Sequence, residues 1–409
     1  MCIRDSYNKT YHGRFEIWSL PMRSRLLLAC ILASVGLGLL AGPASAGVDA
    51  SPSPPQSEAV AFCPLNLQLR HPFLCRRSGA RTALFDYARR GEYPQRPFPL
   101  KTPDPTLGNM PFYYLRSRRD DGTPLYTNVD DAFREENAYR TVPPGFVYFS
   151  WIERYERHDK VVYMIVPGVY IRGEGLARVG APTFQGLAFS RTPSGTFAWV
   201  LNRTETRREP GYDAPGTGRF FDRFQVVWVY ETRNVDGWDW YRIGPQDWIE
   251  QRLIAKVEPD LERPEGVESD RWISINLYEQ TLAVYEGGEM IYATLVSSGL
   301  KGWWTRPGVF QVFEKLESTS MEGAFEADRS DYYYLEDVPW TLYFDEARAL
   351  HGAYWHNGYG YPRSHGCVNL SPADAHWIYN WADVGTYVYV FDPSGETPTD
   401  PSAYGSGGA

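Results

Sequence analysis

Five cysteines and seven histidines are few for 409 residues, and 41 Lys/Arg are outnumbered by 50 Asp/Glu. The acidic balance disfavours nucleic acid or anionic lipid as the main partner, because both need dense Lys/Arg surfaces. Beyond the first 46 residues no run is apolar enough to span a bilayer. Intrinsic disorder is excluded as the main state by 22% charged, 43% hydrophobic and 15% aromatic residues. At roughly 150 residues per domain, the length allows two or three domains. What is abundant is 37 Gly, 31 Pro, 29 Tyr and 14 Trp, a balance of turn formers and aromatics that suits pleated, half-buried faces. The expected fold is mainly β.

Arg23 and Arg25, an apolar stretch over residues 26–41 and the small residues Ala44-Ser45-Ala46 make up a secretion signal. Cleavage is expected after Ala46. Met22 stands at the start of that signal, so residues 1–21 read as a spurious extension. An uncleaved membrane anchor and a lipoprotein signal at Cys30 stay open, although Cys30 leaves only four apolar residues before it. Removing residues 1–46 takes away five basic and two acidic residues, leaving 36 Lys/Arg against 48 Asp/Glu and a net charge of −12. The expected location is extracytoplasmic, secreted or associated with the cell wall or periplasm, with membrane contact only through an uncleaved signal.

The exported chain keeps Cys63, Cys75 and Cys367, an odd number. Outside the cell, Cys63 and Cys75, close in sequence, are candidates for a disulfide. Cys367 is then left over as a thiol, and reactivity is the usual reason for one.

The Pro/Ser-rich residues 47–57 read as a solvated linker, and residues 58–145 as an irregular region with a helical patch near residues 80–90. Short β-type runs over residues 146–257 indicate an all-β module. Part of it, residues 226–249 around the Asp236-Gly237 turn, loosely resembles a bacterial SH3-like barrel. Its aromatics can grip glycan or peptide, but an aromatic stripe in a β module is more often core. Residues 258–266 read as a linker, and residues 267–392 as a last domain. There Ile273, Ile275 and Leu277 alternate with polar residues, and Gly287-Gly288 marks a two-residue hairpin. Thr305-Arg306-Pro307-Gly308 is a turn before another strand. Ser371, Pro372 and Asp374 supply an N-cap, a first-turn proline and a capping-box acid for a short helix. Residues 393–409 read as a frayed, disordered tail.

Four of the seven histidines, His351, His356, His365 and His376, crowd around Cys367. A His351-Gly352 pair is followed by a Gly- and Tyr-rich loop and then by Ser364-His365-Gly366-Cys367-Val368-Asn369. This text resembles the signature of YkuD-type L,D-transpeptidases, over about residues 271–391. A nearby imidazole can take the proton of a thiol and give a nucleophilic thiolate with an imidazolium. The resemblance implies that Cys367 is the nucleophile and His351 the base, with the Gly352 carbonyl orienting the ring in place of an acid. It implies supporting roles for Ser364, His365 and Asn369. Gly366 lets the chain turn sharply, so that the amides of Gly366 and Cys367 can face an oxyanion. His356 and His376 read as structural or surface histidines.

The implied reaction is ping-pong acyl transfer on peptidoglycan stem peptides. Cys367 attacks the L-centre carbonyl before the terminal D-Ala of a tetrapeptide, and the thioester is resolved by an amine or by water. The resemblance also implies acylation of Cys367 by carbapenems. No cofactor is needed. A zinc site of clustered His and Cys competes with this chemistry, but paired C-x-x-C or H-x-x-x-H ligands are absent and zinc does not explain Gly352 and Gly366. The alternatives kept open are an L,D-carboxypeptidase and a non-catalytic wall-binding protein.

Overall fold

The computed structural model describes residues 95–404 apart from residue 327, together with residues 87, 88, 90 and 92. The signal segment and the proposed Cys63–Cys75 disulfide lie outside the described residues. Residues 95–404 belong to one compact unit, and the four isolated residues to a second. In that second unit Tyr87 and Ala88 are helical and Arg90 pairs with Glu92 at 3.2 Å. Among the described residues no helix is long and apolar enough to cross a membrane.

The protein is mainly β, and two sheets hold the catalytic motif. A seven-stranded sheet runs Val368–Leu370, Arg348–Gly352, Tyr333–Asp345, Phe146–Trp151, Tyr113–Ser117 and Leu176–Val179 in spatial order, with Glu314–Gly323 also paired to Tyr333–Asp345. A six-stranded sheet runs Gly308–Gln311, Tyr387–Phe391, Trp272–Asn276, Thr281–Glu286, Glu289–Leu295 and Leu187–Ala188. Ile273, Ile275 and Val284 from the second sheet meet Leu342, Leu350 and Val368 from the first in one buried core. The helix Pro372–Trp381 adds Ala375 and Ile378 to it. Burial of this kind contributes about 25 cal/mol per Å² of apolar surface and fixes the sheets against each other.

Local sequence signals act where they stand. Gly287 and Gly288 take φ of 60° and 80°, and Asp236 and Gly237 take 53° and 81°, the left-handed pairs that let two-residue turns follow strand twist. Ser371 caps the helix by accepting from the Asp374 amide at 3.1 Å, with Pro372 in its first turn. The Asp374 carboxylate departs from the capping-box expectation. It is buried and accepts from the Gly186 amide at 2.6 Å, the Tyr292 hydroxyl at 2.7 Å and the Thr294 hydroxyl at 2.5 Å. Burial pushes its pKa up, and these donors act against that.

Upstream of the motif the chain departs from the sequence reading. Residues 113–142, expected to be irregular, carry the strands Tyr113–Ser117, Thr123–Tyr126 and Arg140–Val142 and the short helix Val129–Arg134. Tyr113–Ser117 pairs with Phe146–Trp151 and Leu176–Val179, and Thr123–Tyr126 with Val169–Arg172 as well as Arg140–Val142, partners that no local pattern announces. Phe146–Trp151 runs parallel to the distant Tyr333–Asp345, pairing Tyr333 with Phe146, so a boundary at residue 146 does not separate compact units. Thr204–Arg207, Asp247–Glu250 and Trp238–Gly244 are neighbours in a five-stranded sheet that faces a three-stranded one containing Phe197–Val200. Along Phe197–Val200 the pleat divides the side chains: Ala198 and Val200 enter the core between these sheets, and Phe197 and Trp199 pack toward Trp272 and Tyr285. The aromatics of this module are largely core. Residues 393–404 are tied down where fraying was expected. Asp392 accepts from the Ser394 and Thr397 amides at 2.9 Å each, and the Tyr404 ring lies 5.4 Å from the Arg348 guanidinium.

Candidate active site

His351 lies on one strand of a parallel pair, and Cys367 immediately precedes the other. Arg348–Gly352 and Val368–Leu370 align Leu350 with Val368, His351 with Asn369 and Gly352 with Leu370. Cys367 enters that second strand two residues before Asn369, so the period of two places its side chain on the face that His351 shares. His351 Nδ1 lies 3.5 Å from the Gly352 carbonyl. The Cys367 thiol donates to the Ala347 carbonyl at 3.7 Å.

Both groups are buried, His351 to 1% exposure and Cys367 to 3%. Burial lowers the imidazole to about pKa 3, only partly offset by the Gly352 carbonyl. Burial also pushes the thiol up, against the Ala349 amide and the Arg348 charge. Burial thus favours the neutral form of both the thiol and the imidazole.

The turn before Cys367 is fixed from three sides. Gly366 has φ of 120°, and a Cβ there would stand 3.1 Å from Arg348 Nε. Ser364 Oγ accepts from the Gly366 amide at 3.1 Å and donates to the Cys367 carbonyl. Thr305 Oγ1 accepts from the Gly299 amide at 3.0 Å and donates to the Gly366 carbonyl at 2.8 Å. The Gly366 amide is thus engaged by Ser364, which removes it from the expected oxyanion pair. Beneath the turn, Asp345 holds Arg348 at 3.1 Å and Arg306 at 3.1 Å.

The histidine cluster of the sequence disperses. His365 packs among aromatics. Its ring lies 4.1 Å from Phe325 and 4.5 Å from Trp303, with neither ring nitrogen hydrogen-bonded, and burial lowers its pKa to about 3. Phe325 also stacks on Tyr333 at 6.0 Å. Burial first, then the Cys367 side chain, raise the Tyr333 phenol. His356 Nδ1 accepts from the Gly358 amide at 3.0 Å, so the neutral ring keeps its proton on Nε2. Asn369, 3.1 Å from Nε2, must then present its carbonyl oxygen there. His376 stacks on Trp340 at 4.3 Å and contacts the Leu107 carbonyl at 3.3 Å, a structural role. Among the described residues no three His, Cys, Asp or Glu side chains converge as metal ligands.

Sequence reasoning missed several parts of this site. Thr305 was visible only as a turn residue, although its hydroxyl reaches the nucleophile turn. Trp355, 5.6 Å from His351 between ring centres, and the pair Trp303 and Phe325 carried no signal beyond aromaticity. The loop from His351 to Cys367 is braced from upstream: Asn202 and the Arg252 carbonyl engage the Tyr361 hydroxyl, and Arg223 donates to the Asn357 carbonyl.

A family model described as the L,D-transpeptidase catalytic domain, YkuD, matches residues 270–390, which contain the whole motif. YciB of Bacillus subtilis (strain 168), which bears the name of an L,D-transpeptidase, is 31% identical over 151 residues, covering 31% of this chain and 72% of YciB. Among solved structures, an L,D-transpeptidase of Stackebrandtia nassauensis is 29% identical, over 32% of this chain and 59% of that one, with a TM-score of 0.25. The catalytic domain of an E. faecium L,D-transpeptidase is 28% identical, over 31% of this chain and all of that one, with a TM-score of 0.27. With the motif inside the matched segment and nearly three quarters of YciB covered, the chain belongs to the YkuD family of L,D-transpeptidases.

Proposed function

We propose that this protein is an exported cysteine-dependent peptidoglycan L,D-transpeptidase, acting through residues 267–392. The observation that carries this reading is the parallel pairing of the His351 and Cys367 strands, with the Gly352 carbonyl at His351 Nδ1. The secretion signal over residues 22–46 supports action outside the cytoplasmic membrane.

In the first half-reaction the L-centre carbonyl of a tetrapeptide stem meets Cys367. His351 takes the thiol proton as sulfur attacks, which suits a neutral imidazole with no acid behind it. The Cys367 amide is the proposed oxyanion donor, and such a donor is worth about 3 kcal/mol at the transition state. As the tetrahedral adduct collapses, the amine of D-Ala leaves with the proton from His351 and a thioester remains. An amine or water resolves the thioester: the first gives a cross-link, the second a carboxypeptidase product. Arg348, under Gly366, favours negative charge at the sulfur.

The test is intact mass after mixing with a tetrapeptide stem. The wild-type protein gains the acyl mass of the stem less D-Ala, and Cys367→Ala gains none. A Cys367→Ala protein that still releases D-Ala contradicts the assignment.

A further inference from the structure

The segment that follows the family match at residues 270–390 returns to the turn before Cys367. Asp392 begins it, accepting from the Ser394 and Thr397 amides at 2.9 Å each and from the Thr397 hydroxyl at 2.6 Å, and Thr397 is buried. Asp400 caps the short turn Pro401–Ala403 through the Ser402 amide at 2.9 Å. The Tyr404 hydroxyl donates to the Pro398 carbonyl and closes the segment on itself. These local bonds hold the Tyr404 ring where it stands, 5.4 Å from the Arg348 guanidinium.

Arg348 lies against the turn. A Cβ on Gly366 would stand 3.1 Å from its Nε and 3.5 Å from its Cδ, so the arginine occupies the space that the glycine leaves open. Its side chain is only 4% exposed. Asp345 is a divided anchor for it, since the carboxylate Oδ2 serves Arg348 and Arg306 at 3.1 Å each. The guanidinium charge opposes the rise that burial imposes on the Cys367 thiol, as the Ala349 amide also does. The Tyr333 and Tyr343 phenols also feel the Cys367 side chain, and burial pushes both up, so neither brings a charge near pH 7. Tyr404 itself feels Arg348, Arg306, Asp345 and Asp392.

We infer that Tyr404 is a positioning residue for Cys367, its ring keeping the Arg348 guanidinium against the Gly366 backbone. This rests on Cys367 as the acyl carrier. A cation over an aromatic face and out of water is held more firmly than an exposed one. It also acts more strongly on a neighbouring charge, because less water screens it. Without the ring, the guanidinium can turn from Gly366 toward solvent, and the sulfur loses part of the positive charge that favours its ionisation. A tail that only stabilised the fold would leave that ionisation where it is.

The test compares Tyr404→Ala, Tyr404→Phe, Arg348→Met and the double variant of Tyr404→Ala with Arg348→Met, all in the full chain. Alkylation of Cys367 by iodoacetamide is followed from about pH 7 to 11, so that the midpoint reports the thiol and the plateau its accessibility. Tyr404→Ala is expected to raise the midpoint by about half a pH unit and to slow single-turnover release of D-Ala at pH 7 about threefold. Tyr404→Phe keeps the ring and stays close to wild type in both. The double variant has the midpoint of Arg348→Met alone, because Tyr404 acts through Arg348. An unmoved midpoint in Tyr404→Ala, an equal rise in Tyr404→Phe, or a further rise in the double variant overturns the inference. So does a change confined to the plateau or to thermal stability. Should Arg348→Met fail to fold, the contrast between Tyr404→Ala and Tyr404→Phe decides. A wild-type protein whose Cys367 is alkylated but which releases no D-Ala from a tetrapeptide stem overturns the functional reading, and this inference with it.

Discussion

Thr305 Oγ1 donates to the Gly366 carbonyl at 2.8 Å, bridging 61 positions of sequence to hold the turn that presents Cys367. The same hydroxyl accepts from the Gly299 amide, so Thr305→Val strands a buried carbonyl and a buried amide at once. Each costs about 1–3 kcal/mol when left unpaired. Thr305→Val is expected to lower the denaturation midpoint and to slow acylation of Cys367, whereas Thr305→Ser keeps both close to wild type. Urea denaturation and D-Ala release, run on both variants, check it.

Gly366 tolerates no side chain. Its φ of 120° is strained for any other residue, and Arg348 Nε stands 3.1 Å from the Cβ position. Gly366→Ala is expected to cost roughly 1–3 kcal/mol of stability. It is also expected to abolish measurable acylation, because relief of either strain moves Cys367. Retained turnover with unaltered thermal stability would contradict this.

Acid should destabilise the fold through its buried histidines. His351 and His365 fall to about pKa 3 by burial, and His356 is also driven well below its usual value. An unfolded histidine binds a proton near pH 6.5, so between that pH and about 3 the unfolded state holds more protons than the native state. Stability is present in full above pH 6.5 and is lost as pH falls. His356→Asn should reduce the slope of stability against pH. Denaturation midpoints from pH 7.5 to 4, compared with the wild type, measure it.

Phe325 and Trp303 enclose the His365 ring. Phe325→Ala admits water to that ring, so the His365 pKa should rise from about 3 toward the usual histidine range. NMR titration of the imidazole follows the shift. If the same hairpin covers the sulfur, alkylation of Cys367 by iodoacetamide at pH 7 should be slow in the wild type and faster in the variant. Rapid alkylation of the wild-type thiol would contradict a buried, neutral nucleophile.

The motif, the Gly287-Gly288 hairpin and the Ser371 cap were legible because each is decided within a few residues. The family resemblance implied that the Gly352 carbonyl orients His351, and its oxygen lies 3.5 Å from Nδ1. Other features depend on chain far away in sequence. Phe146–Trp151 finds its partner at Tyr333, Asp374 takes donors from Gly186, Tyr292 and Thr294, and the Gly366 carbonyl is held by the Thr305 hydroxyl. The preference for neutral forms was hidden for a related reason: a residue string shows which groups ionise, but burial decides whether they do.

The most direct test is single-turnover release of D-Ala, compared between the wild-type protein and His351→Gln. General-base help of this kind is worth about 10²–10⁴-fold. The variant should form the same Cys367 thioester at a rate lower by that factor, with its fold and its thiol intact. A His351→Gln protein that acylates as fast as the wild type would contradict His351 as the group that activates Cys367.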